Sequence, residues 1–181
     1  MKIIKITIVS IAVIIGLVLI ASPALNLYNE CAVYFHKKAF LAKYEFEDFS
    51  QFKDVDVFKR GGDKNQQILA MFISYHINDN SKTGCYLVTL DKKNCHILKT
   101  KWTTEHSVET DTLKLQQLAQ TFMKYKIPRL NVDTAGNVFV YLKDIETLAF
   151  VKFANESELR KRSKETEWVK INDKNTWYRH K

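Results

Sequence analysis

The chain has 181 residues, 46% of them hydrophobic and 12% aromatic, which excludes a disordered or low-complexity chain. Only 5 Gly and 2 Pro leave little room for a long flexible linker. The net charge of +8 comes with interleaved signs, as in Glu158-Leu159-Arg160-Lys161-Arg162-Ser163-Lys164-Glu165, which fits a mixed solvated surface better than a nucleic-acid-binding stripe.

No charged residue lies between Lys5 and Glu30. A helix over residues 6–29 would reach about 36 Å, against a hydrocarbon core of about 30 Å. Eleven residues of Ile6–Ala21 are Ile, Val or Leu, contributing on the order of −3 to −6 kcal/mol towards insertion. Residues 1–28 are therefore expected to be an uncleaved signal-anchor that engages the membrane through residues 6–28. The alternative is a signal peptide cleaved near Ala24, where Ser22-Pro23-Ala24 supplies small residues. Against it, the apolar run exceeds the ~7–15 residues of a signal core. Lys2 and Lys5 flank the span closely, whereas the first basic residue beyond it is Lys37. That asymmetry places the N-terminus in the cytoplasm and the domain outside it, at a cell membrane crossed once.

Residues 29–50 read as an amphipathic helical extension. Leu25, Tyr28, Ala32, Phe35, Ala39, Ala42 and Phe46 recur at 3-4 spacing and share one helical face. Phe46, Phe49 and Phe52 form an aromatic stripe that would dock on a core.

Residues 51–181 are expected to form a single α+β domain, an antiparallel sheet with helices packed on one face. Val55–Lys59 is a strand ended by Gly61-Gly62-Asp63-Lys64-Asn65, and Ile68–Tyr75 is a more central strand, apolar on both faces. After the turn Asn78–Ser81, Cys85–Leu90 and Cys95–Trp102 make a hairpin around Lys92-Lys93. A two-residue loop there pairs Leu90 with Cys95, Val88 with Ile97 and Cys85 with Thr100. Cys85 and Cys95 then lie too far apart for a disulfide, and with Cys31 the cysteine count is odd.

Residues 111–125 carry the stripe Leu115, Leu118, Ala119, Phe122, with Glu109 and Asp111 at the positive end, Lys124 and Lys126 at the negative end and Pro128 as the stop. Leu130–Val132, the turn Asp133–Asn137 and Val138–Leu142 follow, then a strand Leu148–Phe153 and a short helix to Arg162 capped by Asn155 or Ser157. A closing hairpin pairs Trp168 with Arg179 and Val169 with Tyr178 if Asp173-Lys174 is its loop.

No catalytic, cofactor-binding or metal-ligating residue is expected, and no cofactor. His36, His76, His96, His106 and His180 are scattered without metal-ligand spacing. Asp133-Thr134-Ala135-Gly136 lacks the Asp-Thr/Ser-Gly of an aspartic-protease loop and reads as a turn. Asp54 and Asp56 share a strand face, with Val55 and Val57 inward, so both aspartates are expected to face water. Glu105-His106-Ser107 is adjacent in sequence only, which is not triad geometry. Gly61-Gly62 lies between strands, where it cradles no phosphate.

An anchor without a catalytic constellation suggests a membrane-tethered binding module with a protein partner, one version being an immunity-type inhibitor, and no nucleic-acid partner. Two alternatives stand beside it: a cytoplasmic-facing basic domain binding anionic lipid or nucleic acid, and an enzyme whose site is assembled from distant residues.

Overall fold

The structure is a computed structural model, and it describes residues 34–63, 67–76, 83–103, 111–164, 166–171 and 176–180. The expected anchor at residues 6–28, Cys31, the site near Ala24, Glu105-His106-Ser107, Glu109 and the turns at 78–81 and 172–175 lie outside those residues. No helix among the described residues is long and apolar enough to cross a membrane. The chain divides into two compact units, Met1–Ala39 and Phe40–Lys181.

The described part of the first unit, residues 34–39, is helical, with Tyr34 and Phe35 exposed and their rings in edge contact at 5.8 Å. The helix α1, 34–44, ends in the second unit. There it buries Phe40 and Tyr44, and Phe46 beyond its end is 89% exposed. The expected stripe through Phe35, Ala39, Ala42 and Phe46 is therefore not the buried face. The larger aromatic pair four residues apart wins: Phe40 packs on Phe150 and Trp177, and Tyr44 on Tyr125. Tyr44 also donates from its hydroxyl to the Lys124 carbonyl at 2.9 Å. The aromatic stripe continues correctly at Phe49 and Phe52, both buried, the second in a 3-10 turn Ser50–Phe52. Among the described residues the core extends back to Phe40.

The second unit is built on a nine-stranded antiparallel sheet. Its strands are β1 (Val55–Gly62), β2 (Ile68–His76), β3 (Thr83–Asp91), β4 (Ile97–Trp102), β5 (Arg129–Val132), β6 (Val138–Tyr141), β7 (Leu148–Lys152), β8 (Trp168–Lys170) and β9 (Trp177–His180). They lie in the order β4-β3-β2-β1-β5-β6-β7-β9-β8. Between β4 at the edge and β5 beside β1 runs α2 (Thr112–Tyr125). This connection skips three strands, so the helix crosses their inner face. α2 buries Leu115, Leu118, Ala119, Phe122 and Tyr125, the expected stripe extended by one tyrosine. Asp111 caps it by accepting from the Lys114 N–H, and Lys126 ends it in the left-handed conformation at φ 57°.

The inner face is apolar by strict alternation: Val55 and Val57, Met71 and Ile73, Tyr86, Val88 and Leu90, Leu130 and Val132, Val138 and Val140 are all buried. The third helix, α3 (Glu156–Arg162), is capped by Asn155 as expected. It sets Arg162 over Phe139, which alternates with inward Val138 and Val140 and so points to the opposite face.

One strand end and two registers differ from expectation. β1 continues through a bulge at Lys59/Gly61 to Gly62, where an added Cβ would meet the Ile68 carbonyl oxygen at 2.6 Å. The β3–β4 hairpin pairs Leu90 with Ile97, then shifts at Thr89 to pair Val88 with Thr100. Its turn is longer than two residues because Asp91 accepts the Lys93 N–H at 2.8 Å and Cys95 adopts φ 56°. The last hairpin pairs Trp168 with His180 and Val169 with Arg179, one residue off the expected register. An aromatic pair at 4.2 Å replaces the expected cation–aromatic contact.

Candidate functional site

α2 and the β3–β4 turn wall an open cleft of about 660 Å³. Lys59 from β1, Lys92 from the turn, Lys124 from α2 and its cap Lys126 are the four lysines among its described lining residues. Gln117, Gln120 and Thr121 of α2 add neutral polar groups, and Asn94 and Cys95 complete the turn side. No carboxylate stands among its described lining residues.

The walls are tied together. Gln116 accepts the Ile97 N–H at 2.8 Å and donates to the Cys95 carbonyl at 2.5 Å, clamping the turn to the helix. Asn94 accepts the His96 N–H at 2.8 Å, and the Lys126 N–H bonds the Met123 carbonyl. Lys59 follows Val55 and Val57 at the same parity and so points inward, its ammonium 5.6 Å from the Phe122 ring centre. Burial, and then the neighbouring positive charge of Lys92, hold its pKa below the usual lysine value. Among the described residues it forms no ion pair with a carboxylate.

A second candidate is the outer face of β1–β4. Phe58, Phe72 and Leu87 lie half-buried at its centre. Phe58 and Phe72 pack at 5.1 Å, Arg60 lies over Phe72 at 5.1 Å and Arg129 over Phe58 at 5.8 Å. Opposite Leu87 and Thr89 stand Lys101 and Lys99, both exposed.

Asp54 and Asp56 do not both face water. Asp56 pairs with Arg129, Nη2 to Oδ2 at 2.6 Å and Nε to Oδ1 at 2.9 Å. Asp54 precedes β1 at φ 63°, and its Oδ1 is buried. The expected turn at Asp133–Asn137 is present, closed by the Asn137 N–H on the Asp133 carboxylate. Around the fully buried Asn137 lies a network that no sequence pattern signals. Its amide donates to Asp133 and Glu158 and accepts the Ala154 N–H, while Arg162 pairs with Asp133 at 2.8 Å. Both polar atoms of the Asn137 amide and both oxygens of Asp133 are bonded, so the cluster is a lock between the start of β6, the end of β7 and α3 rather than an open site.

Cys85 and Cys95 are free thiols. Ser74 donates to the Cys85 sulfur at 3.2 Å across β2–β3, while Cys95 belongs to the turn. Among the described residues no three His, Cys, Asp or Glu side chains are grouped to hold a metal ion. No family model matches the chain, and no curated protein or solved structure matches it. The class defined on structural grounds is an α+β domain on a nine-stranded antiparallel sheet.

Proposed function

We propose that the chain is a non-enzymatic binding module held at a membrane by residues 6–28, its domain outside the cytoplasm, and that the outer face of β1–β4 receives a protein partner with an acidic surface. The membrane half of this reading rests on the charge-free apolar run between Lys5 and Glu30. The single observation that carries the binding half is the composition of the outer face. Phe58, Phe72 and Leu87 form its apolar centre, with the guanidiniums of Arg129 and Arg60 over the two rings and the exposed Lys99 and Lys101 as a basic rim on β4. The acid nearest that centre, Asp56, is already paired with Arg129, and Asp91 at the strand end holds the Lys93 N–H. An apolar centre with a rim of one charge is the pattern of a specific interface.

Two features favour a protein over single-stranded nucleic acid. Guanidinium groups cover Phe58 and Phe72, the rings on which bases would stack. The outer basic groups also lie at the rim rather than along a track.

The test is photocrosslinking in native membranes from a benzoyl-phenylalanine placed at Leu87, with Leu113 as control on the solvent side of α2. A stoichiometric acidic protein captured from position 87 and not from 113 supports the reading. Nucleic acid captured from position 87, or the same products from both positions, contradicts it.

A further inference from the structure

We infer that the cleft between α2 and the β3–β4 turn is a binding site for a multiply charged phosphate group, a function separate from partner docking on the outer face of the sheet. Four lysines from three elements converge on one concave space, with no carboxylate among its described lining residues. Surface lysines on a mixed-charge protein ordinarily sit among acids, and self-repulsion in a concave space is costly unless an anion fills it. Lys59 makes the point most sharply. It occupies an inward position of β1, where Val55 and Val57 precede it, and its charge is opposed by both burial and Lys92. A methionine or leucine there would pack on Phe122 without that cost. The Phe122 ring face, 5.6 Å from the ammonium, offsets part of that cost, and an anion in the cleft would offset the rest.

The rest of the cleft suits such a ligand. Gln117, Gln120 and Thr121 of α2 add neutral donors to the same lining. The Gln116 clamp and the left-handed cap at Lys126 fix both walls before anything binds, which lowers the ordering cost of association. Lysines act as point charges towards phosphate, and four of them match a ligand carrying several negative charges rather than one carboxylate. The volume of about 660 Å³ admits an oligophosphate or a phosphorylated lipid headgroup.

The experiment titrates inorganic tripolyphosphate into the full chain in nonionic detergent, read by calorimetry at physiological ionic strength. Saturable one-to-one binding is expected. Lys59→Met should weaken it about tenfold or more, as for loss of a partly buried charge-assisted contact. Lys92→Gln and Lys124→Gln, both at exposed positions, should each weaken it about threefold. Lys143→Gln and Lys161→Gln, exposed and outside the cleft, should leave it unchanged.

Two further readouts separate a ligand site from a structural one. Lys59→Met should keep or raise the melting temperature, whereas a lysine retained for stability would lower it. Tripolyphosphate should slow iodoacetamide alkylation of Cys95 and not of Cys85. Micelles doped with phosphatidic acid, whose phosphomonoester headgroup carries more than one negative charge, titrated alongside, identify the source. If they bind where tripolyphosphate does not, and the same three variants lose that binding, the phosphate is a lipid headgroup. Absence of saturable binding in both arms overturns the inference. So does equal weakening by Lys143→Gln or Lys161→Gln, which would mean diffuse attraction. Should Lys59→Met fail to fold, the exposed Lys92 and Lys124 variants decide the matter.

Discussion

Arg129 grips Asp56 across β1 and β5 with two parallel hydrogen bonds, at 2.6 Å and 2.9 Å. The pair is diagonal in the ladder, since Arg129 stands opposite Phe58 and Asp56 opposite Asn131. The guanidinium also lies 4.7 Å from the Tyr141 ring centre and donates to the Ile145 carbonyl. One side chain thereby ties β1 and β5, where the two halves of the sheet join, to the loop after β6.

That geometry needs the planar fork of arginine. Arg129→Met should destabilise the domain by about 2 kcal/mol, below the range for a fully buried pair because both side chains keep some exposure. Arg129→Lys should recover less than half of the loss, since an ammonium cannot reproduce the bidentate contact and the stacking. Urea midpoints at constant slope measure both.

Asn137 should be the most sensitive polar position. Its side chain satisfies three partners at once while fully buried. Asn137→Ala should cost about 2–3 kcal/mol by stranding Asp133, Glu158 and the Ala154 N–H. Asn137→Asp should cost more, and in a pH-dependent way. The new carboxyl would face two others, so its folded pKa would rise above the unfolded value of about 3.9. A raised folded pKa means that the defect is mild at low pH and deepens as pH rises through that range. Thermal unfolding of the variant at acid and neutral pH checks the sign.

Alkaline unfolding should begin early. Burial raises the pKa of Tyr75, Tyr125 and Tyr141, reinforced at Tyr125 by the Glu47 carboxylate, to which its hydroxyl donates at 3.1 Å, and opposed at Tyr141 by Arg129. Their folded values exceed the unfolded value of about 10, so the stability they contribute is complete below that pH and is lost as pH rises above it. Tyrosinate absorbance and circular dichroism should then change together for these residues. Tyrosinate formation well ahead of unfolding would contradict the burial.

Much of this fold is legible from periodicity. The α2 stripe, its Asp111 cap, the Asn155 cap and the strand order of polar and apolar residues follow from spacing alone. Registers are harder, because a single side chain decides them. Asp91 capturing the Lys93 N–H lengthens one hairpin turn, and nothing in the alternation of β3 and β4 signals it. The α1 face differs from the expected one because the rings of Phe40 and Tyr44 carry more contact area than the small Ala39 and Ala42 that keep the helical spacing. Nor does local sequence reveal that Asp56 meets Arg129 or that Asn137 meets Glu158, pairs made by strands and helices far apart in the chain. The lysine cleft did leave one trace. Lys59 keeps the inward parity of Val55 and Val57, and a charged residue in an apolar phase asks for an explanation.

The central claim, an acidic protein docked on the basic outer face of β1–β4, is tested most directly by charge reversal within the crosslinking experiment. Lys99→Glu and Lys101→Glu together should abolish capture from position 87, since like charges across an interface cost several kcal/mol, and should leave the melting temperature within a few degrees because both side chains are exposed. Capture undiminished by the double reversal in a folded chain would contradict the account.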